Sequence, residues 1–172
     1  MKINLRPHEN VIITQVSSSH VISFHQCLDI VAKEKQYLAQ TEALPLETFT
    51  QFVKENEAND VIQWIALAGR QVVGWADIFS HWAPTLRHRG QLGMGVHPDF
   101  RGQGIGEQLL KSCLTKAKSK GISRVELETR ADNHASLHLY QKLGFNIETI
   151  ITNGMNFDGK YFDTVQMSLV FD

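Results

Sequence analysis

The segment HPDFRGQGIGEQLL, residues 97–110, places glycine at every second position, Gly102, Gly104 and Gly106, directly before an apolar helical stripe. Alternating glycines remove Cβ atoms and open backbone conformations that other residues avoid. The chain can then curl until several N–H groups point into one hollow. At a helix start those groups lack internal partners, and the macrodipole adds partial positive charge, so the hollow favours negatively charged oxygen. The run therefore predicts a cradle for a phosphate or pyrophosphate on the N–H groups of Gly102, Gln103, Gly104, Ile105 and Gly106. It equally satisfies a plain strand-to-helix turn. Two common nucleotide motifs do not fit. A dinucleotide fingerprint needs glycine where Glu107 stands, and a P-loop needs a lysine followed by serine or threonine.

The flanking residues indicate the architecture. Gln91–Val96 reads as a short strand, with Gly93 and Gly95 marking a bulge or a close approach. Beyond the cradle, Ile105, Leu109, Leu110, Cys113, Leu114 and Ala117 share one helical face, and Gly121 supplies the stop. Upstream, Val11–Val16 is β-like. Ser18 or Ser19 caps a helix through about Tyr37, with Val21, Phe24, Leu28 and Val31 on one face. A second helix enters near Pro45 with Leu46, Phe49, Phe52 and Val53. Val61–Leu67 and Val72–Phe79 form a hairpin about Gly69, and Ser80–Gly90 is a loop. Downstream, Arg124–Arg130 alternates, and Asp132 or Asn133 caps a helix to Leu143 that Gly144 ends. Phe145–Ile151 and Tyr161–Phe171 are the last strands, with turn signals at Asn153-Gly154 and Asp158-Gly159 between them. This order predicts a mixed α/β fold with helices on both faces of a sheet.

Composition narrows the function classes. The 172 residues are 42% apolar and 20% charged, which suits one domain, 1–172, with a sizeable core. A net charge of −1 gives no global field for nucleic acid or anionic lipid. Cys27 and Cys113 sit in no CxxC or Cys/His cluster, so neither a disulfide nor a metal site is expected. The start, MKINLRPHENVIIT, has no apolar signal core, and no run approaches ~18 apolar residues. A reducing, cytoplasmic setting without membrane contact is the expectation. Within 101–124, however, Arg101, Lys111, Lys116, Lys118, Lys120 and Arg124 face one acid, Glu107. That excess reads either as a solvated helix face or as added attraction for a phosphate-rich ligand.

The segment LGMGVHPDFRGQGIGEQLL followed by ADNHASLHLYQKLGF resembles the Gcn5-related N-acetyltransferase superfamily, and GWADI, LGMGV and the ending DGKYFDTVQMSL are similar to its small bacterial members that acetylate amino acids, amines or protein N-termini. Arg101, Gly104 and Gly106 match the family's pyrophosphate motif. Asn133, Tyr140 and Leu143-Gly144-Phe145 match its later motif, in the family's order and separation. The resemblance spans nearly the whole chain. It implies a central, mostly antiparallel sheet and acetyl-CoA as cosubstrate, with no metal. It implies that the pantetheine arm pairs with the bulged strand at Met94 and Val96, with Asn133 and Ser136 on the far side of a splay. Arg101 has a structural alternative as a salt bridge closing the loop. Asn133 has one as a helix cap, and Ser136 as simple helix packing.

The implied reaction is attack of a primary amine on the thioester. Tyr140, otherwise readable as an aromatic core residue on an amphipathic helix, is the general acid for the CoA thiolate, and a main-chain N–H, that of Val96, steadies the oxyanion. A lysine-like amine with pKa ~10.4 is only about one part in 10³ neutral at pH 7, so a base or a desolvating site is needed. Where relatives carry a strand glutamate, this chain has Gly90, Gln91 and Leu92. Asp77, His88 and Glu128 are the candidate bases, each also readable as an ordinary surface residue, and a water chain is another route. An α-amino group would need little help. The acceptor is a small amine or a protein N-terminus, entering near 37–45 and 152–160, where Glu42, His81, Trp82 and His88 stand. A catalytically silent CoA sensor is the rival reading, and a homodimer is a reasonable state for the class.

Overall fold

The computed structural model describes residues 10–172; the first nine residues of the N-terminal segment discussed above lie outside these. The elements in order are β1 (Val11–Gln15), α1 (Val21–Lys33), α2 (Leu46–Ala58), β2 (Ile62–Ala68) and β3 (Gln71–Ser80). They continue with β4 (Arg89–Val96), α3 (Ile105–Ser119), β5 (Arg124–Arg130), α4 (His134–Lys142), β6 (Asn146–Phe157) and β7 (Lys160–Val170). The strands form one seven-stranded sheet in the order β1-β2-β3-β4-β5-β7-β6. Every pairing is antiparallel except β4 with β5.

Helices cover both faces, as the alternation of elements predicts. On one face, Phe24 of α1 and Phe49 and Val53 of α2 pack on Ile65, Val72 and Trp75. Phe24 meets the Phe49 ring edge-on at 5.1 Å and lies 5.8 Å from Trp75. On the other face, Leu109, Leu110 and Cys113 of α3 and Tyr140 of α4 join Val73, Ala76, Ile78, Leu127 and Met167. Burying each large side chain contributes roughly 1.5–3 kcal/mol, so the two apolar layers hold the sheet between them. Both cysteines are buried free thiols. No helix among the described residues is long and apolar enough to cross a membrane.

Four local expectations need correction. First, α1 stops at Lys33 rather than near Tyr37, because Lys35 adopts φ +50, outside the helical region. Second, its entry is organised by Ser17 rather than Ser18 or Ser19. The Ser17 N–H donates to His20 Nδ1 at 3.1 Å, while the Ser18 N–H turns to the Glu57 carboxylate on α2 at 2.9 Å. Third, β4 carries no bulge. It pairs with β3 in unbroken register from Ser80↔Gly90 to Gly74↔Val96, and the irregularity lies instead between β2 and β3. The β4 glycines mark close approaches. Fourth, Asn153-Gly154 is not a turn between strands. β6 runs on through it with a register shift, the Asn153 N–H donating to Asp163 Oδ1 at 2.9 Å. The chain reverses only at Asp158-Gly159, where both residues have positive φ.

Gly95 makes the tightest approach in β4. A Cβ there would lie 2.3 Å from the Trp75 ring, which is itself wedged against Phe24. Gly95→Ala is expected to destabilise the fold by about 1–3 kcal/mol through overpacking. Equilibrium urea unfolding checks this, as a lower midpoint at unchanged slope.

Candidate active site

The parallel pairing of β4 with β5 lasts only three residues, Arg89↔Arg124 to Gln91↔Glu126. Past that point the strands part, and one edge of Leu92–Val96 has no strand beside it. The closed end is held by charge. Arg89 donates to Glu126 through Nε and through Nη2 at 2.7 Å, and Arg124 Nε reaches the same carboxylate at 3.1 Å. The open end leads through a short turn, Pro98–Phe100, to the glycine run.

At that run Gly102 and Gly104 adopt φ +73 and +77, the left-handed region that glycine enters without strain. A Cβ at either would meet nothing within 4 Å, so the hollow is open on that side. Gly104 is the N-cap of α3, and no side chain caps this end. The first N–H groups of α3 are therefore available to an anion. Gly106 lies where three elements converge: a Cβ there would stand 3.0 Å from Met94 Cε of β4 and 3.2 Å from Leu139 of α4. Glu107 ties the two helices together through Lys142 at 2.7 Å. These residues fit a diphosphate followed by an extended arm that needs main-chain partners.

The other predicted residues fall as follows. Met94 and Val96 are half-buried on the α3 side of β4. The Ile105 side chain is in the core, leaving its N–H to the cradle. Gln103 is exposed, and its amide reaches the Asp99 carbonyl at 3.4 Å. The Arg101 side chain is engaged elsewhere: Nε donates to the Val96 carbonyl at 2.9 Å, and the guanidinium grips Glu34 of the loop after α1 at 3.0 and 2.5 Å. Asn133 caps α4, Oδ1 accepting from the Ser136 N–H at 3.3 Å, while its amide points to Thr129 at 3.4 Å. Tyr140 is buried beside Phe145 at 5.8 Å between ring centroids. Burial pushes its phenol well above the ordinary value, so it holds its proton at neutral pH.

A cavity of about 350 Å³ lies on the opposite face of the splayed strand, under α1, α2 and residues 38–44. Its floor is the alternating face of β3, Trp75, Asp77 and Phe79, with Gly93 and Met94 of β4. Asp77 is not a solvent-facing strand residue. It sits deep beneath the surrounding atoms with only its cavity side open, and burial raises its carboxyl from 3.8 to about 7, partly opposed by a hydrogen bond from Gln63. Gly93, its partner across the ladder, leaves room for it: a Cβ there would come within 3.0 Å of Asp77 Oδ1. Residues 38–44 lie within the predicted entrance. The 152–160 side contributes otherwise: Asp158 holds Lys35 at 3.1 Å, and Arg130 stacks 3.5 Å over Phe162 while donating to the Gln36 carbonyl. Phe52, Phe79 and Gln63 were missed. An acid between two aromatics at period two in β3 was the signal available.

The remaining candidates lie apart. The His88 ring is exposed at the closed end of the splay, where its carbonyl accepts from the Ser123 and Arg124 N–H groups. Glu128 is exposed and accepts from the Thr164 hydroxyl. Glu42 is exposed near Lys33, and Trp82 stacks on His81 in the open loop. The basic excess of 101–124 is largely cancelled by acids elsewhere in the chain. Lys116 and Lys120 hold Asp60, Arg101 holds Glu34, and Arg124 holds Glu126 and Glu148, while Lys111 pairs with Glu107 inside the segment.

Comparison with known proteins follows the same lines. The chain is 40% identical over 60 residues to the ribosomal protein bS18-alanine N-acetyltransferase of Escherichia coli K12, covering 35% of this chain and 40% of that enzyme. It is 32% identical over 103 residues to the L-amino acid N-acyltransferase MnaT of the same strain, 59% of each chain. The matches thus span about two fifths to three fifths of these curated relatives' lengths. Among solved structures, YncA of Salmonella typhimurium, determined with its cofactor acetyl-CoA, superposes with a TM-score of 0.87 at 16% identity, covering 94% of each chain. The sequence model described as the Acetyltransferase (GNAT) family matches residues 24–145. The chain belongs to that family.

Proposed function

We propose that this protein is an acetyl-CoA-dependent N-acetyltransferase acting on a primary amine. The carrying observation is the early end of the β4–β5 ladder, which opens a slot onto the glycine cradle at the start of α3. The family and the names of its relatives support the reading.

In this reading the N–H groups of residues 102–106 bind the diphosphate, and the free edge of Leu92–Val96 pairs with the pantetheine amides. Arg101 acts indirectly: by holding the Val96 carbonyl and Glu34 it keeps the turn in shape. Asn133 orders the start of α4, which carries Ser136 and Tyr140 toward the slot. Asp77 fills the place of the missing strand glutamate. Near neutral pH its raised carboxyl is poised to accept a proton from the incoming ammonium. The amine nitrogen then bonds the acetyl carbon as the C–S bond breaks, with the Val96 N–H as oxyanion donor. Tyr140 gives its proton to the departing sulfur, and the second amine proton returns to Tyr140 through water. The cosubstrate supplies the activated acetyl group; the chain supplies orientation and both proton transfers.

Tyr140→Phe is expected to lower kcat about 10²-fold, the low end of general-acid effects, with the Kd for acetyl-CoA unchanged. Thiol release and calorimetry check the two parts. kcat/KM is expected to rise with pH through about 7 in the native protein, following Asp77, and Asp77→Asn should abolish that limb. Stability has the opposite slope. A carboxyl with a folded pKa above its unfolded value binds its proton more tightly when folded, so stability falls as pH rises from 3.8 to about 7. Asp77→Asn removes that fall. The variant should gain about 2 kcal/mol on the native protein between pH 4 and pH 8, a unit of pKa being worth 1.4 kcal/mol before screening at the open side. Urea unfolding at the two pH values measures it.

A further inference from the structure

We propose that the acceptor is an apolar monoamine, aliphatic or arylalkyl, that carries no carboxylate. The inference rests on the acetyltransferase reading and concerns the cavity over β3. Its walls are dominated by the rings of Phe24, Phe49, Phe52, Trp75 and Phe79. Among the described residues, Asp77 supplies the one charged side chain in the lining, and Gln40 and Gln63 the other polar groups. About 350 Å³ falls at the small end of the range for organic-ligand sites. The site is therefore a short apolar sleeve with one carboxylate at its floor.

That chemistry selects. The ammonium end of a monoamine meets Asp77, on the oxygen that Gly93 leaves uncovered, and its body lies among the rings. An amino acid would bring a carboxylate into the same sleeve. The arginines near the 34–37 segment are already committed, Arg101 to Glu34 and Arg130 to Asp132 at 2.5 Å and to the Gln36 carbonyl. An unpaired carboxylate beside Asp77 would be both desolvated and repelled. A polyamine would bury a second ammonium without a second acid. The preference thus differs from the amino-acid acceptors named for one relative.

The test uses the full chain with acetyl-CoA and follows thiol release. Acceptors are the n-alkylamines from propyl to hexyl, 2-phenylethylamine, L-phenylalaninamide, L-phenylalanine, spermidine and an alanine-led peptide. We expect kcat/KM to rise about fourfold per methylene, the transfer value of one buried CH₂. 2-Phenylethylamine should exceed L-phenylalanine by at least about 10²-fold, with the amide restoring most of the loss, on the scale of one unpaired buried charge. 2-Phenylethylamine should also raise the Tm of the native protein but not of Asp77→Asn. Phe52→Ala, which removes one ring from the sleeve wall and lies outside the cradle and β4, should raise the amine KM about 10-fold and leave the acetyl-CoA Kd unchanged. Turnover confined to L-phenylalanine, spermidine or the peptide overturns this inference while leaving the acetyltransferase reading intact. So does the absence of both turnover and a Tm shift with 2-phenylethylamine when acetyl-CoA still binds. Failure of acetyl-CoA to bind overturns the underlying reading instead.

Discussion

Two neighbouring parallel strands that stop pairing after three residues create the working space of this molecule. β4 is fixed on its other edge by a full antiparallel ladder with β3, and β5 by one with β7. Neither can move to close the gap without breaking that ladder. At the closed end, Arg89, Arg124 and Glu126 form a half-buried ionic clamp that lowers the Glu126 carboxyl below its ordinary range, chiefly through Arg89. Beyond the clamp, the main-chain edge of β4 has no strand to satisfy its hydrogen-bonding groups.

The slot separates two chemistries across one strand. On the α3 side, the cradle offers main-chain N–H groups and the helix dipole to an anion. On the α1–α2 side, the same strand has glycines where side chains would block the floor of an apolar cavity. Gly93 clears Asp77, and Gly95 clears the Trp75 ring. One side suits a large phosphate-bearing cosubstrate and the other a small cation with an apolar body.

Surface charge shows why local counting misleads. Six basic residues between 101 and 124 suggest a phosphate-seeking face when read along the chain. In three dimensions, Asp60, Glu34, Glu126 and Glu148 approach from elsewhere and neutralise most of it. Exposed pairs of this kind contribute little stability, but they remove the long-range field. What remains at the start of α3 is the short-range geometry of N–H groups that no side chain caps.

The helical stripe of α3, the Asn133 cap, the paired motifs and the mixed sheet with helices on both faces were legible in the sequence, because periodicity, capping and glycine conformation are local properties. Where local signals compete, they were not decisive. Asn153-Gly154 has the composition of a turn, yet β7 keeps the strand going, and of the two readings of Arg101 the structure takes the salt bridge, with Glu34 as its partner. Nor does the sequence reveal which of three carboxylate and imidazole candidates is buried. Asp77, His88 and Glu128 look alike along the chain. Only packing puts Asp77 beneath two helices and leaves the others in water. Burial, and with it the proton affinity of a carboxyl, depends on residues distant in sequence, and the fold alone brings them together.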